Sequence, residues 1–255
     1  MADLHQTENY ARYMESLGWI VERSPGCNIF IKKIFFTAIA KIQRPSKLDL
    51  SLLKKYHPFL TKLEPLTNFK SKISNFKFDR WPLIPSKTLV LDLNKTPLSK
   101  DIRYEIRKAT SNNLAIQQCG NPETFYKMLE ETMRIGGWSL PLKKFVVNLW
   151  QSFQPNNSII LMTTVSGCLL VWDKDTAHYM YAACTRQGRK IGAAYLTLWE
   201  AIKFCQKKKL KFLDLEGIFD ERYPDATKNW QGFTAFKRQW GGKVVEYPGS
   251  FSKYF

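Results

Sequence analysis

The first third of the chain contains short runs of β-branched and aromatic residues separated by polar breaks. Residues 19–22, 29–34 and 36–42 predict three strands, and two further runs, 60–66 and 71–78, predict two more. Helical spacing of apolar positions predicts one helix at 8–17, ended by Gly18, and a second at 48–56, capped by Ser46. These elements predict a mixed, strand-rich first region.

The remaining two thirds alternate between helical and strand patterns. Helical spacing predicts helices at 99–112, 122–135, 142–153 and 195–205. Short apolar runs predict strands at 88–93, 114–117, 158–164, 167–172, 178–184 and 210–215, of which 158–184 form an antiparallel meander. Residues 186–194 predict a loop. The order as a whole predicts an α+β fold with a mixed sheet.

One stretch combines a buried acid with a lysine on an apolar helix face. Asp214 lies within the apolar strand that Gly217 bounds, where an unpaired carboxylate is costly. Downstream, Lys237 shares a helix face with three aromatic residues, Phe233, Phe236 and Trp240, whereas Arg238 points away. Gly241 and Gly242 then end the helix. The pattern is typical of a functional site, but also of a lysine that extends to solvent and an aspartate that holds a turn.

Charge is the strongest compositional signal. Lys and Arg number 39 against 22 Asp and Glu, which gives a formal net charge of +17. Such a field favours polyanions, either nucleic acid, phosphorylated small molecules or an anionic membrane surface. The excess is spread along the chain, which indicates a basic groove rather than a basic tail.

Cysteine and histidine usage indicates neither disulfides nor a metal site. The five cysteines are scattered and the three histidines are isolated, so we expect reduced thiols and no metal. His178 is interpreted as a packed or rim residue of its strand. The polar N-terminus and the short apolar runs predict a cytoplasmic protein.

The segment 186–194 contains a short anion-binding pattern. Arg189, Gly192 and Ala194 fit the R-x-x-G-x-A spacing with which GNAT acyltransferases hold a pyrophosphate. A basic loop closed by a glycine explains the same residues equally well. The meander, loop, helix and strand around it nevertheless follow the order of a GNAT-like core.

Several segments together resemble the FemAB family. The most specific are LDLEGI from Leu213, N-x-x-GFTAFKRQWGG from Asn229 and VVEYPG from Val244. KIQRP (41–45) is similar to the family's arginine-glycine-proline turn without the glycine, and LSKDIRYEIRKA (98–109) is similar to its basic helix. The first third is short for the family's first domain, and no heptad-bearing helical arm is present.

The resemblance implies a tandem GNAT-like acyltransferase fold with a reduced first unit. We expect residues 1–96 to form that unit and 97–255 the complete one, with the tail 245–255 packed on the first. It also implies transfer of an amino acid from aminoacyl-tRNA to an amine of a peptidoglycan precursor, either lipid II or a nucleotide-linked muropeptide. Such an enzyme uses no cofactor, serves cell-wall biogenesis and cell shape, and can contact the inner membrane face peripherally.

The resemblance also assigns roles to residues. Lys237 matches the family's FK lysine and is expected to bind the tRNA end and stabilise negative charge, with Phe236 shaping the pocket. Asp214 or Glu216 is expected to act as base or to orient the amine, unless a substrate phosphate takes the proton. The expected contacts with precursor phosphates come from basic residues: Arg103, Arg107, Lys108, Arg44 and Lys33.

Two other function classes remain open on the sequence. An acyl-CoA N-acyltransferase would use Arg189 and its loop for the cofactor pyrophosphate. A non-catalytic RNA-binding module would keep the fold and the basic surface without the reaction.

Overall fold

A computed structural model describes residues 3–69, 73–95 and 98–255 of the chain. The chain divides into two compact units. The first consists of Met1–Lys87, Gly217–Trp230 and Val245–Phe255, and the second of Thr88–Glu216 and Gln231–Val244. The domain boundary expected between residues 96 and 97 falls outside the described residues and stays a prediction.

Within the described residues, groups of strands and groups of helices follow one another along the chain. The strands are β1 (Ile20–Ser24), β2 (Cys27–Ile34), β3 (Thr37–Gln43), β4 (Pro58–Glu64), β5 (Lys77–Phe78), β6 (Lys87–Asp92), β7 (Gln117–Gln118), β8 (Ser158–Met162), β9 (Ser166–Asp173), β10 (Thr176–Cys184), β11 (Phe212–Gly217), β12 (Lys243–Glu246) and β13 (Phe251–Tyr254). The α-helices are α1 (Glu8–Ser16), α2 (Lys100–Ser111), α3 (Pro122–Gly136), α4 (Lys143–Ser152), α5 (Arg186–Lys190), α6 (Ala193–Lys207), α7 (Pro224–Thr227) and α8 (Gln231–Arg238). Short 3-10 helices span Leu4–Gln6, Leu50–Tyr56 and Lys228–Trp230.

The first unit is built on a six-stranded sheet of order β1-β2-β3-β4-β13-β5. β1, β2 and β3 form an antiparallel meander, and β4 then pairs parallel to β3. Alternate residues of β2 and β3 enter one core, among them Ile29, Ile31, Ala40 and Ile42. Burial alternates along β3, whereas β2 is buried continuously from Cys27 to Ile31.

The second unit is built on a seven-stranded sheet of order β12-β6-β11-β10-β9-β8-β7. β8, β9 and β10 form the predicted antiparallel meander, and β11 pairs parallel to β10. Helices α3, α4 and α6 pack on these strands. β9 is buried from Ser166 to Trp172 without alternation, as expected of a strand that is covered on both faces.

The predicted elements are confirmed in most of the chain, with four corrections. Residues 186–190, predicted as loop, form α5, and Asp49 rather than Ser46 caps the 3-10 helix that replaces the α-helix predicted at 48–56. The strand predicted at 114–117 is reduced to Gln117–Gln118, and that predicted at 71–78 to Lys77–Phe78. Residues 71 and 72 of the latter lie outside the described residues.

Every helix within residues 3–69, 73–95 and 98–255 is too short or too polar to span the apolar core of a bilayer.

Candidate active site

The parallel pair β10–β11 forms the opening at which the candidate site of the second unit lies. Its ladder joins Thr176 with Phe212, Ala177 with Leu213 and His178 with Asp214, and stops there. β10 continues to Cys184 beside β9, with a register irregularity between Tyr179 and Tyr181. Because the two strands no longer pair beyond His178, side chains and backbone groups of both can face the gap.

Asp214 holds the backbone at the point where the ladder ends. Its side chain is buried, with 3% exposure. One carboxylate oxygen accepts the N–H of Glu216 at 2.7 Å, and the other accepts the hydroxyl of Thr88 at 3.3 Å. These bonds compensate the buried charge and favour the interpretation of Asp214 as an anchor of the strand end.

Glu216, whose backbone N–H is bound by Asp214, is the second carboxylate at the end of the ladder. Its backbone is left-handed, with φ of 61°, a conformation that costs a non-glycine residue about 1 kcal/mol. One oxygen lies 2.8 Å from Nδ1 of His178, whose side chain is buried on β10. Glu216 and His178 therefore form a hydrogen-bonded pair that can accept and hold a proton.

Lys237 brings a cation to the same pair. Its Nζ lies 4.7 Å from the ring centroid of Phe233, one turn earlier on α8. Burial lowers the pKa of Lys237 to about 8, and the negative charges of Glu216 and Asp214 oppose that shift. The ammonium is therefore largely charged at neutral pH, close to two carboxylates in a partly desolvated place.

Aromatic packing fixes the helix that carries Lys237. The rings of Phe236 and Tyr195 meet edge to face at 4.9 Å between centroids, and Trp240 lies beside both with 1% exposure. The hydroxyl of Tyr195 donates to Gln239 at 2.9 Å. The predicted helix face is confirmed, since Arg238 is exposed, and Gly241 and Gly242 end the helix with positive φ.

Within the part of the chain that the structure describes, one group of side chains could hold a metal ion: His178, Asp214 and Glu216. One atom from each lies within 4.8 Å of the others. The two carboxylates already interact electrostatically with the Lys237 ammonium, and each oxygen of Asp214 accepts a hydrogen bond, one from Glu216 and one from Thr88. A divalent cation would meet that ammonium's repulsion, so we assign no metal here.

The basic residues predicted to bind phosphates lie in different surroundings. Arg103 and Arg107 lie one turn apart on α2. Both are exposed and can therefore contact a polyanion. Lys108 is half-buried, with its Nζ 3.7 Å from Glu105. Lys33 is exposed on β2 of the first unit.

Arg44 has an internal role in the first unit. Its side chain is buried, and its guanidinium donates to Asp3 at 3.2 Å and to the carbonyl of Pro85 at 2.6 Å. The same group stacks on the ring of Tyr247 at 3.3 Å. These contacts occupy the guanidinium, so we propose no substrate contact for Arg44.

The R-x-x-G-x-A segment has an acidic neighbour. Gly192 is buried and left-handed at the start of α6, and a side chain there would meet the backbone and the carboxylate of Glu105 at 2.7 Å. Burial raises the pKa of the Cys184 thiol to about 11, and a backbone hydrogen bond from Ala194 opposes that shift. Arg189 is exposed beside Trp138. A carboxylate at this helix N-terminus competes with a pyrophosphate for the same positive end.

Sequence reasoning missed two contributors to the site. His178 stands 38 residues before Glu216, and only the parallel register places it opposite Asp214. Thr88 stands 126 residues before Asp214. A polar residue within a buried strand was the one available signal for each.

The second unit's core defines a class of protein. An antiparallel meander, a helix and a parallel strand whose ladder opens beside a buried acid form a GNAT-like core, and the meander and parallel strand recur in the first unit. The predicted α+β, tandem GNAT-like fold is therefore confirmed. A GCN5-related N-acetyltransferase from Kribbella flavida has a TM-score of 0.53 at 9% identity, covering 99% of this chain and 95% of that one.

The predicted resemblance to the FemAB family is also confirmed, because the family's model matches residues 161–255. The crystal structure of FemX is similar, with a TM-score of 0.80 at 14% identity over 99% of this chain and 92% of that one. A Staphylococcus haemolyticus lipid II:glycine glycyltransferase is 30% identical over 87 residues, or 34% of this chain. That match spans 20% of the glycyltransferase's length.

Proposed function

We propose that this protein transfers an amino acid from aminoacyl-tRNA to an amine of a peptidoglycan precursor. The observation that carries the proposal is the Glu216–His178 pair where β10 and β11 part, with the Lys237 ammonium within electrostatic reach of Glu216. The FemAB match includes these residues, and the similar glycyltransferase is named for glycine and lipid II. The net charge of +17 suits two polyanionic substrates.

The reaction requires a base and a stabilised oxyanion. The acceptor amine attacks the ester carbonyl carbon, a C–N bond forms, and the bond to the terminal ribose oxygen breaks. The amine loses a proton and the departing ribose oxygen gains one. We assign the proton transfer to Glu216 with His178, because Asp214 already spends both carboxylate oxygens on Glu216 and Thr88.

Lys237 supplies the positive charge. A cation that is partly desolvated interacts more strongly with the developing oxyanion than one in water. Its second expected task is to bind the tRNA acceptor end, with Phe236 holding α8 against Tyr195. Arg103 and Arg107 are the proposed contacts of α2 with precursor phosphates, and Lys108 and Lys33 are further candidates.

A direct transfer assay tests the proposal. The purified chain is incubated with a panel of tRNAs, each charged with its labelled amino acid, and with lipid II or its nucleotide-linked muropeptide. We expect the acceptor to gain the mass of one amino acid residue. Free amino acid in place of the charged tRNA should give no product, which tests the tRNA dependence separately.

Three results would contradict the proposal. The first is a folded protein that transfers nothing from any charged tRNA and binds neither substrate. The second is acylation of the acceptor by acetyl-CoA instead of the charged tRNA, which would identify an acyl-CoA N-acyltransferase. The third is tight RNA binding without transfer, which would identify a binding module.

A further inference from the structure

The turn between β2 and β3 exposes a group of apolar side chains in the first unit. Ile34 exposes 37% of its surface, Phe35 96% and Phe36 105%. Single exposed apolar residues are ordinary, but two adjacent, wholly exposed phenylalanines at a hairpin tip are not. Phe35 is also left-handed, with φ of 50°, a strained backbone for a bulky residue.

Strand register brings two further segments to the same end of the sheet. β4 runs parallel to β3 and begins beside it, with the Thr37 hydroxyl donating to the carbonyl of His57 at 3.0 Å. β13 runs antiparallel to β4, so Tyr254 lies opposite Leu60 at that end. We call the exposed residues gathered there the aromatic end: Ile34, Phe35, Phe36, Phe59 and Tyr254.

Lysines flank the aromatic end. Residues 31–38, 53–60 and 251–254 contain five lysines and neither aspartate nor glutamate. Lys33 and Lys54 are exposed, whereas Lys55 pairs with Glu22 of β1 at 2.7 Å. Apolar side chains at the centre of a basic surface are typical of proteins that lie on an anionic bilayer.

The shape of this end favours a bilayer over a protein partner. Both phenylalanines project from a turn, and a protein would need a matching concave pocket to bury them. The headgroup region of a bilayer admits such side chains without a preformed shape, and attracts the lysines. We propose that the aromatic end docks the first unit on the surface of an anionic membrane, with Phe35 and Phe36 inserted between the lipids.

Vesicle flotation tests this docking without the transfer reaction or its substrates. The full chain is mixed with phosphatidylcholine vesicles that contain phosphatidylglycerol. We expect the parent protein to float with the vesicles. The double variant Phe35→Ser/Phe36→Ser should bind them at least about tenfold more weakly, because two aromatic side chains that would be buried among the lipids are lost. Lys33→Gln should weaken binding by about fivefold at most, and added salt should remove that difference.

An exposed aromatic at the opposite end of the sheet provides the matched control. Trp81 is 60% exposed and follows β5, which runs away from the aromatic end. Trp81→Ser should float like the parent, and all variants should keep the parent's unfolding temperature. The docking is disproved if the parent does not bind these vesicles or the double serine variant binds as well. A concentration-dependent dimer that the serines abolish, without vesicle binding, would show that a second copy covers this end.

Discussion

Each unit contains a parallel pair of strands after an antiparallel meander, and the two pairs differ in how far they stay together. In the first unit β3 and β4 pair to their last residues, Gln43 and Glu64. The next residue, Arg44, still donates its backbone N–H to the backbone carbonyl of Glu64 at 2.6 Å. In the second unit β10 and β11 separate after His178 and Asp214. The same topology therefore gives a closed pair in one unit and an open pair in the other.

The difference decides what the charged groups at each strand end can do. Glu64 is 5% exposed, and the backbone N–H groups of Leu83 and Ile84 donate to it. Arg44 is likewise bound within its unit. In the open pair, Glu216 and Lys237 are only partly covered. A side chain buried beside a closed pair contacts only groups of its own unit, whereas one beside an open pair can also serve a reaction.

The largest expected effect is on the cation of the open pair. Lys237→Ala should lower the transfer rate at saturating substrate by about 100-fold or more, because oxyanion stabilisation is lost. Arg238→Ala, on the exposed side of the same helix, should stay within about threefold of the parent. Equal losses in both variants would show that general basicity, and not the placement of Lys237, supports transfer.

The next effect concerns the acid of the closed pair. Burial raises the pKa of Glu64 to about 7 from its ordinary 4.5, while the N–H groups of Ile84 and Leu83 and the charges of Arg44 and Lys62 oppose the shift. The unfolded chain loses this proton near pH 4.5 and the folded one near 7, so stability should fall as pH rises between these values. The unfolding free energy of Glu64→Gln minus that of the parent should therefore increase by up to about 3 kcal/mol from pH 5 to pH 8.

Chemical denaturation at both pH values measures this gain. Glu130→Gln, an exposed substitution on α3, should show a change of less than about 0.5 kcal/mol. A Glu64→Gln effect that is the same at pH 5 and pH 8 would mean that Glu64 is ionised throughout in the folded protein.

A third, smaller effect separates a cationic from a neutral role for Lys237. Burial lowers its pKa to about 8, so a cationic role predicts that the rate falls as pH rises through 8, relative to Lys237→Arg. Glu216→Gln removes a charge that raises this pKa, so the fall should move to lower pH, with a loss of about tenfold in rate. A relative rate that instead rises through pH 8 would indicate that neutral Lys237 acts as the base.

The smallest effect is expected at Arg189. Since Glu105 lies beside Gly192, Arg189→Ala should change the transfer rate by less than about threefold, and calorimetry should detect no acetyl-CoA binding. Glu105→Ala provides the matched variant, because it removes the competing carboxylate. Micromolar acetyl-CoA binding by the parent that Arg189→Ala abolishes would contradict this prediction.

Local patterns were sufficient for most of the fold and for one part of the site. The β-branched and aromatic runs of β2 and β3 and the spacing around Lys237 each depend on a few neighbouring residues, which the sequence displays directly. The Glu216–His178 contact depends on which strands become neighbours and in which register, and no local pattern encodes that.

Arg44 illustrates the reverse error. A basic residue in a turn is equally suited to bind a phosphate or to hold its own backbone. Its left-handed φ of 49° and its contacts with Asp3 and Tyr247 become visible only once distant segments meet. Exposure, rather than residue type, separates it from Arg103 and Arg107.

The position of β13 has a consequence for biosynthesis. This strand lies between β4 and β5 in the first sheet, although residues 251–254 leave the ribosome after all of the second unit. A nascent chain that has reached residue 244 carries every segment of the second unit, while β4 still has an unpaired edge. The N-terminal unit is therefore the last to be completed, and during translation its open edge is the place where a chaperone would be needed.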